Sequence, residues 1–426
     1  MASLTPRGRP GHAAREPMTA TIKTRRVYLL TGYEPLGPEA HHHRFAREIR
    51  RFERTWSLRA EVGPLTMPAG VPVASWNAGV SGPDFETQAD VRLLRWDDIV
   101  AQDMEAPMAL RLPRYLLAAG DILVTGTFFR YIAAYWRYSL FAGYPAVLLL
   151  AIGALSWLAG WIWAFAGLPD TAIARGVVGM VAATALLALA SGRLHLNYML
   201  SDWIFARDMM RRRRPEIEAR AEAFAAEIAA GAGAGDVDEV VVIGHSLGAA
   251  WMVEAVAKAL QRDSELARRG FPLGLAGVGS STLKIALHPA AGWLRQSVKR
   301  VADEPAITWA EYDSHVDFIC FYKNNTVEAL GLQAASRPVR RSIRLSRMLA
   351  PETWSRFRGN LLRIHRQYVM GNEQRYAYDF HMIACGPFAF ADIVAHGDRL
   401  PGALGADGSL AGATTPLAAS ESSAAR

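Results

Sequence analysis

Residues 141–166, FAGYPAVLLLAIGALSWLAGWIWAFA, contain no charged side chain. An α-helix needs about 20 such residues to cross a hydrocarbon core. GLPD interrupts the pattern, and residues 172–192, AIARGVVGMVAATALLALASG, are apolar again apart from Arg175. Two such stretches in succession predict a transmembrane helical hairpin at 141–192. Trp157, Trp161 and Trp163 cluster where an interfacial aromatic belt would place them. Arg175 stands near one end of its stretch, within reach of the interface. The connecting loop is short, roughly residues 167–171. Arg130 and Arg137 precede the hairpin, and Arg193, Arg207 and RRRR at 211–214 follow it. By the positive-inside rule these flanks are cytoplasmic and the loop lies outside. Two crossings return the chain to its starting side, so the segments before and after the hairpin are free to join in one cytoplasmic domain.

The remainder alternates between strand and helix patterns. RRVYLLTGY (25–33), EVVVIG (239–244), LGLAGVGSS (273–281) and AITWAEYDS (306–314) read as strands. HHHRFAREIRRFERTW (41–56), PEIEARAEAFAAEIAAG (215–231) and AAWMVEAVAKALQR (249–262) have helical spacing. The alternation predicts an α/β fold: a mostly parallel sheet flanked by helices, interrupted by the hairpin. Residues 26–140 and 193–395 form its two parts. Residues 1–25 are basic with scattered Pro and Gly, and 400–426 are small and polar; both are expected to be disordered arms. The first 26 residues hold no sustained apolar core, so no secretory signal is expected.

Gly244-His245-Ser246-Leu247-Gly248 fits G-x-S-x-G, between a β-branched strand and an Ala-rich helix. A serine on such a sharp strand-to-helix turn is exposed above the sheet, beside the positive end of the helix dipole. Close packing in the turn leaves room only for glycines at 244 and 248. Acyl transfer by serine also needs a base and an acid that orients it. Asp317 follows the strand ITWAEY by a short turn, with Asp313 as the alternative acid. Later histidines are His365 in LLRIHRQYVMGN, His381 in AYDFHMIACGP, and His396 near the tail. The segment PETWSRFRGNLLRIHRQYVMG, which carries His365, reads as one continuous helix.

These residues resemble the α/β-hydrolase superfamily, and GHSLG is similar to its lipase and esterase branches. The resemblance runs from about residue 26 to 390, outside the hairpin. The chain also looks like a bacterial group of membrane-associated hydrolases, through LRWDDIV (94–100), the elbow, the stretch around Asp317 and the late H-x-Q-Y. The resemblance implies the chain order Ser, acid, His. It assigns Ser246 as nucleophile, Asp317 as acid and His365, in an H-x-x-Y element, as base, with His381 the alternative base. It implies an oxyanion hole from the backbone N–H groups of Leu247 and Tyr33, the latter on LLTGYEP (29–35). The implied activity is cleavage of carboxylic esters, with lipid esters plausible for a protein held at a bacterial cytoplasmic membrane. An acyltransferase on the same residues, or an inactive scaffold with this fold, are the rival readings.

Other constellations point away from different chemistries. His41, His42 and His43 are consecutive on a helix, so they project about 100° apart and do not converge on one ion. Asp97 and Asp98 suit a turn or cap. Gly277 and Gly279 lack the lysine of a phosphate loop. YWRY (135–138) abuts the apolar stretch and suits an interfacial belt rather than base stacking. RRRR (211–214) is expected to be a solvated helix face or a contact for anionic headgroups. The net charge of +7 is what basic membrane flanks produce, and nucleic acid is not expected. Cys320 and Cys385 belong to no CxxC or Cys/His cluster, so neither zinc nor a disulfide framework is expected, and no cofactor.

Overall fold

The computed structural model describes residues 21–166, 171–269 and 271–411. Eight strands form one sheet: β1 (Thr24–Leu30), β2 (Arg59–Val62), β3 (Val73–Ser81), β4 (Glu86–Leu94), β5 (Glu239–His245), β6 (Leu273–Val278), β7 (Ile307–Asp313) and β8 (Val339–Ser342). Their order is β2-β3-β4-β1-β5-β6-β7-β8. The β2–β3 and β3–β4 pairs are antiparallel and the rest parallel. Strand β5 is buried along its whole length, which is why EVVVIGH is a continuous apolar run rather than an alternating one. The mostly parallel α/β sheet expected from the alternation is present, with helices on both faces.

Helices α1 (Pro38–Trp56), α2 (Asp97–Glu105), α3 (Met108–Val124), α4 (Thr127–Phe165), α5 (Ala172–Arg193), α6 (Leu196–Met210), α7 (Pro215–Gly233) and α8 (Gly248–Arg262) precede or interleave with the strands. Alternate residues of β1 and β5 feed two cores. Tyr28, Leu30, Val240 and Val242 meet α6, α7 and α8 on one face. Val27, Leu29, Val241 and Ile243 meet α1 and the C-terminal segment on the other.

The apolar stretches are helical but begin earlier than residue 141. Helix α4 runs from Thr127, with one non-helical residue, Tyr135, marking a kink. Both α4 and α5 are long and apolar enough to cross a membrane. Ala190 is the one buried residue of α5 among those described, while Ile173, Val177, Met180 and Val181 lie exposed. The two helices pack through small residues. A Cβ at Gly160 would stand 2.8 Å from the Arg175 carbonyl oxygen, and one at Gly179 3.1 Å from that of Ser156. Of the expected loop, residues 167–170 lie outside the described residues.

The ends of the domain differ from the expected arms. Residues 1–20 and 412–426 lie outside the described residues. Arg25, placed in the basic arm by composition, is a fully buried residue of β1. It pairs with Glu239 of β5 and donates to the carbonyls of Ile383 (2.8 Å) and Phe388 (2.6 Å). The other Glu239 oxygen accepts from Phe390 N–H at 2.9 Å. Leu400 and Leu404, in the expected tail, are buried, and Leu404 bridges to Leu410. One buried ion pair thus fastens the C-terminal segment to the starts of two central strands.

The RRRR run forms the turn between α6 and α7 rather than a helix face, with Arg211, Arg212 and Arg213 exposed. Arg211 pairs with Asp121 of α3, Arg212 with Glu254 of α8 and Arg214 with Asp103 of α2.

Glu239→Ala leaves the Arg25 guanidinium buried without its carboxylate, and its expected cost is about 3–5 kcal/mol. Thermal unfolding of the detergent-solubilised protein measures it. A double replacement, Arg25→Met with Glu239→Leu, is expected to cost less than Glu239→Ala alone.

Candidate active site

Four parallel strands end together. Leu30 of β1 is level with Gly244 of β5, Gly244 with Gly277 of β6, and Gly277 with Glu311 of β7. The loops after these strands therefore gather at one edge, the carboxyl edge where α/β sheets place their ligands.

Ser246 occupies the turn after β5 with φ +55°, a left-handed conformation that a non-glycine residue seldom adopts. The flanking glycines explain how the turn is held. A Cβ at Gly244 would stand 2.6 Å from Ala249 Cα, and one at Gly248 2.5 Å from the Thr31 carbonyl oxygen and closer still to that of Leu30. The start of α8 is thus pressed against the end of β1. A Cβ at Gly32 would stand 2.9 Å from Ser246 Cβ and 3.4 Å from its Oγ. The loop carrying Tyr33 therefore lies directly against the serine. The N–H groups of Leu247 and Tyr33 donate to no other group among the described residues. The Tyr33 ring is fixed between Trp96 and, at 5.8 and 5.4 Å, Tyr198 and Phe205 of α6.

The side chains expected to act as acid and base, Asp317 and His365, lie in direct contact. Asp317 is fully buried after β7, and its Oδ2 lies 2.7 Å from His365 Nδ1. Its Oδ1 accepts from Ile319 N–H at 2.9 Å. Burial alone would raise the Asp317 carboxyl, but the adjacent imidazole and the Ile319 bond hold it below its ordinary value. His365 Nε2 is buried and has no hydrogen-bond partner among the described residues, Ser246 included. Both residues approach the loop after β6. Ser281 N–H donates to the Ser246 backbone carbonyl at 3.0 Å, and a Cβ on Gly279 would stand 3.2 Å from His365 Cε1. The site therefore holds an oriented imidazole with a free nitrogen against the same loop as a strained serine.

The segment carrying His365 is not one helix. It breaks into Pro351–Phe357 and Leu361–Arg366, and Asn360 caps the second through a 3.0 Å bond from Arg363 N–H. Arg358-Gly359-Asn360 supplies the interruption. His365 sits in a short helix followed by a 3-10 turn rather than in a continuous rod.

The alternatives are engaged elsewhere. Asp313 ends β7, where it accepts from Lys323 N–H at 3.0 Å and pairs with Arg340 at 3.1 Å. His381 is fully buried among Phe45, Phe52 and Phe380, in the core on the opposite face of the sheet from α8. Burial there lowers its imidazole to about 3. His396 closes a short helix packed on β7. The three consecutive histidines diverge: His41 meets Arg44, His42 meets the Gly63 carbonyl, and His43 is exposed. Asp97 and Asp98 start α2 and pair with Arg95 and Arg220.

Three residues near the site carried no sequence signal of their role. Gly279, with φ +55°, makes room for His365 and for Tyr368, which a Cβ there would approach to 2.8 Å. His245 sends Nε2 to the His365 carbonyl at 3.1 Å, and burial lowers it to about 3, so it is neutral at pH 7. Glu34 binds Arg44 at 2.8 Å and Arg366 at 3.3 Å, tying the Tyr33 loop to the residue after His365. YWRY also does more than its composition implied. Tyr135 and Arg137 donate to the His315 carbonyl, and Tyr138 stacks on Phe321 at 4.0 Å. The base of α4 thus clamps the loop that carries Asp317.

Neither a family model, a curated protein nor a solved structure matches this chain.

Gly248→Ala is expected to destabilise the domain by more than about 3 kcal/mol, because the obstructing atoms are backbone; chemical denaturation measures it. Glu34 gives a pH dependence. Burial opposes its charge, but Arg44 beside it holds the carboxyl down at about 2. A depressed carboxylate stabilises the fold above its unfolded value, and that contribution is lost as pH falls towards the folded one. Glu34→Gln is therefore expected to flatten the fall in melting temperature below roughly pH 4.5.

Proposed function

We propose that this chain is a membrane-anchored serine hydrolase of the α/β-hydrolase type that cleaves carboxylic esters through an acyl-enzyme on Ser246. The observation that carries the reading is the buried 2.7 Å bond between Asp317 and His365, with the second imidazole nitrogen left unclaimed beside the elbow of Ser246. Ser246 Oγ attacks the ester carbonyl carbon, and its proton passes to His365 Nε2. Asp317 holds the ring and stabilises the imidazolium. The N–H groups of Leu247 and Tyr33 receive the oxyanion, assisted by the N-terminus of α8. The carbonyl carbon–alkoxy oxygen bond then breaks, and the alkoxide leaves with the proton from His365. Water, deprotonated by the same nitrogen, attacks the acyl-enzyme; the acid leaves and Ser246 is regenerated.

A lipid ester is the substrate class favoured by the position of the hairpin. The Tyr33 loop packs on α6, which follows α5, and the Asp317 loop packs on the base of α4. Both halves of the site therefore adjoin the apolar helices. Their exposed Leu, Val, Trp and Phe side chains suit a bilayer, and the basic flanks favour a cytoplasmic catalytic domain in a bacterial inner membrane.

Labelling by a fluorophosphonate probe tests the proposal. The wild type is expected to label at Ser246. Asp317→Asn and His365→Ala are expected to slow labelling at least about a hundredfold, while Asp313→Asn and His381→Leu label at near the wild-type rate. A folded wild type that does not label overturns the reading.

A further inference from the structure

A cleft of about 440 Å³ is lined by residues that flank His365 in sequence and is absorbed by none of the chemistry above. Arg47 and Arg51 of α1 line one wall, and Arg363, Arg366 and Gln367 another. His195, two residues after the end of α5, lines it as well. The cleft therefore adjoins the short helix that carries the proposed base and the point where the apolar hairpin returns to the domain.

Its charge balance is strongly positive. One carboxylate lines it, Glu48, which is buried and already bonded to Arg47 (2.8 Å), Arg51 (3.0 Å) and Gly371 N–H (3.2 Å). Arg366 shares Glu34 with Arg44. Arg363 has no carboxylate partner among the described residues; its guanidinium lies over Phe357 at 4.4 Å. The wider segment agrees. Residues 353–372 contain four arginines, Arg356, Arg358, Arg363 and Arg366, and no Asp or Glu. Gln367, 4% exposed, contributes to the wall of the cleft.

We infer that this cleft holds the phosphate of an anionic glycerophospholipid, against the short helix that carries His365 and at the membrane end of the domain. Guanidinium forks match phosphate oxygens in geometry and charge. Leu362 and Met370 on its walls, and exposed Leu361 nearby, offer apolar surface to the glyceride. The bilayer is the favoured source of the phosphate because His195 places the cleft at the root of α5. The inference deepens the ester-hydrolase reading by naming its substrate class.

Binding is read without turnover in full-length Ser246→Ala protein in neutral detergent, by calorimetric titration with dihexanoylphosphatidylglycerol, dihexanoylphosphatidylcholine and inorganic phosphate. Saturable binding of phosphatidylglycerol is expected, weakened at least tenfold by adding Arg363→Glu. Arg300→Glu, on a helix remote from the cleft, is expected to leave it unchanged. Arg363→Gln serves where circular dichroism shows the glutamate variant misfolded, and the same direction of loss is expected. Equal affinity for phosphatidylcholine, equal affinity for inorganic phosphate, or binding indifferent to Arg363 overturns the inference. The hydrolase reading fails separately. A wild type that binds phosphatidylglycerol yet resists the fluorophosphonate retains the headgroup site and loses the enzyme, and one that labels but does not bind does the reverse.

Discussion

The contact on which the site depends is the approach of the start of α8 to the end of β1. The missing side chain at Gly248 brings α8 against the carbonyls of Leu30 and Thr31, and the missing one at Gly32 brings the next loop against Ser246. These close approaches place a strained serine, a helix N-terminus and a second backbone donor in one small volume. The parallel register then carries the rest, because β6 and β7 end level with β5 and deliver Gly279 and Asp317 to the same edge. The strain at Ser246, of order 1–3 kcal/mol, is tolerated because the surrounding sheet over-determines the turn.

Polar groups elsewhere divide into those that fasten the fold and those left free. Arg25 and Glu239 tie the C-terminal segment to the sheet, and the RRRR turn ties α6 and α7 to α2, α3 and α8. Their charges are spent. His365 Nε2, Gln367 Nε2 and the Arg363 guanidinium have no hydrogen-bond or carboxylate partner among the described residues, and all three belong to one five-residue stretch. That separation, rather than charge density, distinguishes a structural cluster from one available to a ligand.

The hairpin and the α/β domain are not independent parts. The kink at Tyr135 turns α4 so that Tyr135, Arg137 and Tyr138 grip the Asp317 loop. Helix α6, resuming after α5, supplies Tyr198 and Phe205 to the Tyr33 ring. Movement of the hairpin would therefore be felt at the Asp317 loop and at the Tyr33 loop together.

Much of this architecture was legible in the sequence because its signals are local. The uncharged stretches, the β-branched run before Ser246 and the glycines around it each constrain their own backbone. The order of serine, acid and histidine selected Asp317 and His365, but local pattern could not separate them from Asp313 and His381. That choice rests on non-local facts: Arg340 and Lys323 occupy Asp313, and three phenylalanines enclose His381. Composition misplaced Arg25 because a guanidinium reads as solvated until its partner, here 214 residues away, is known. The sequence by itself determined which residues can turn sharply, span an apolar layer or carry a proton. The tertiary structure alone decided which of them meet, since a hydrogen bond of 2.7 Å between residues 48 positions apart is set by the sheet that brings their loops together.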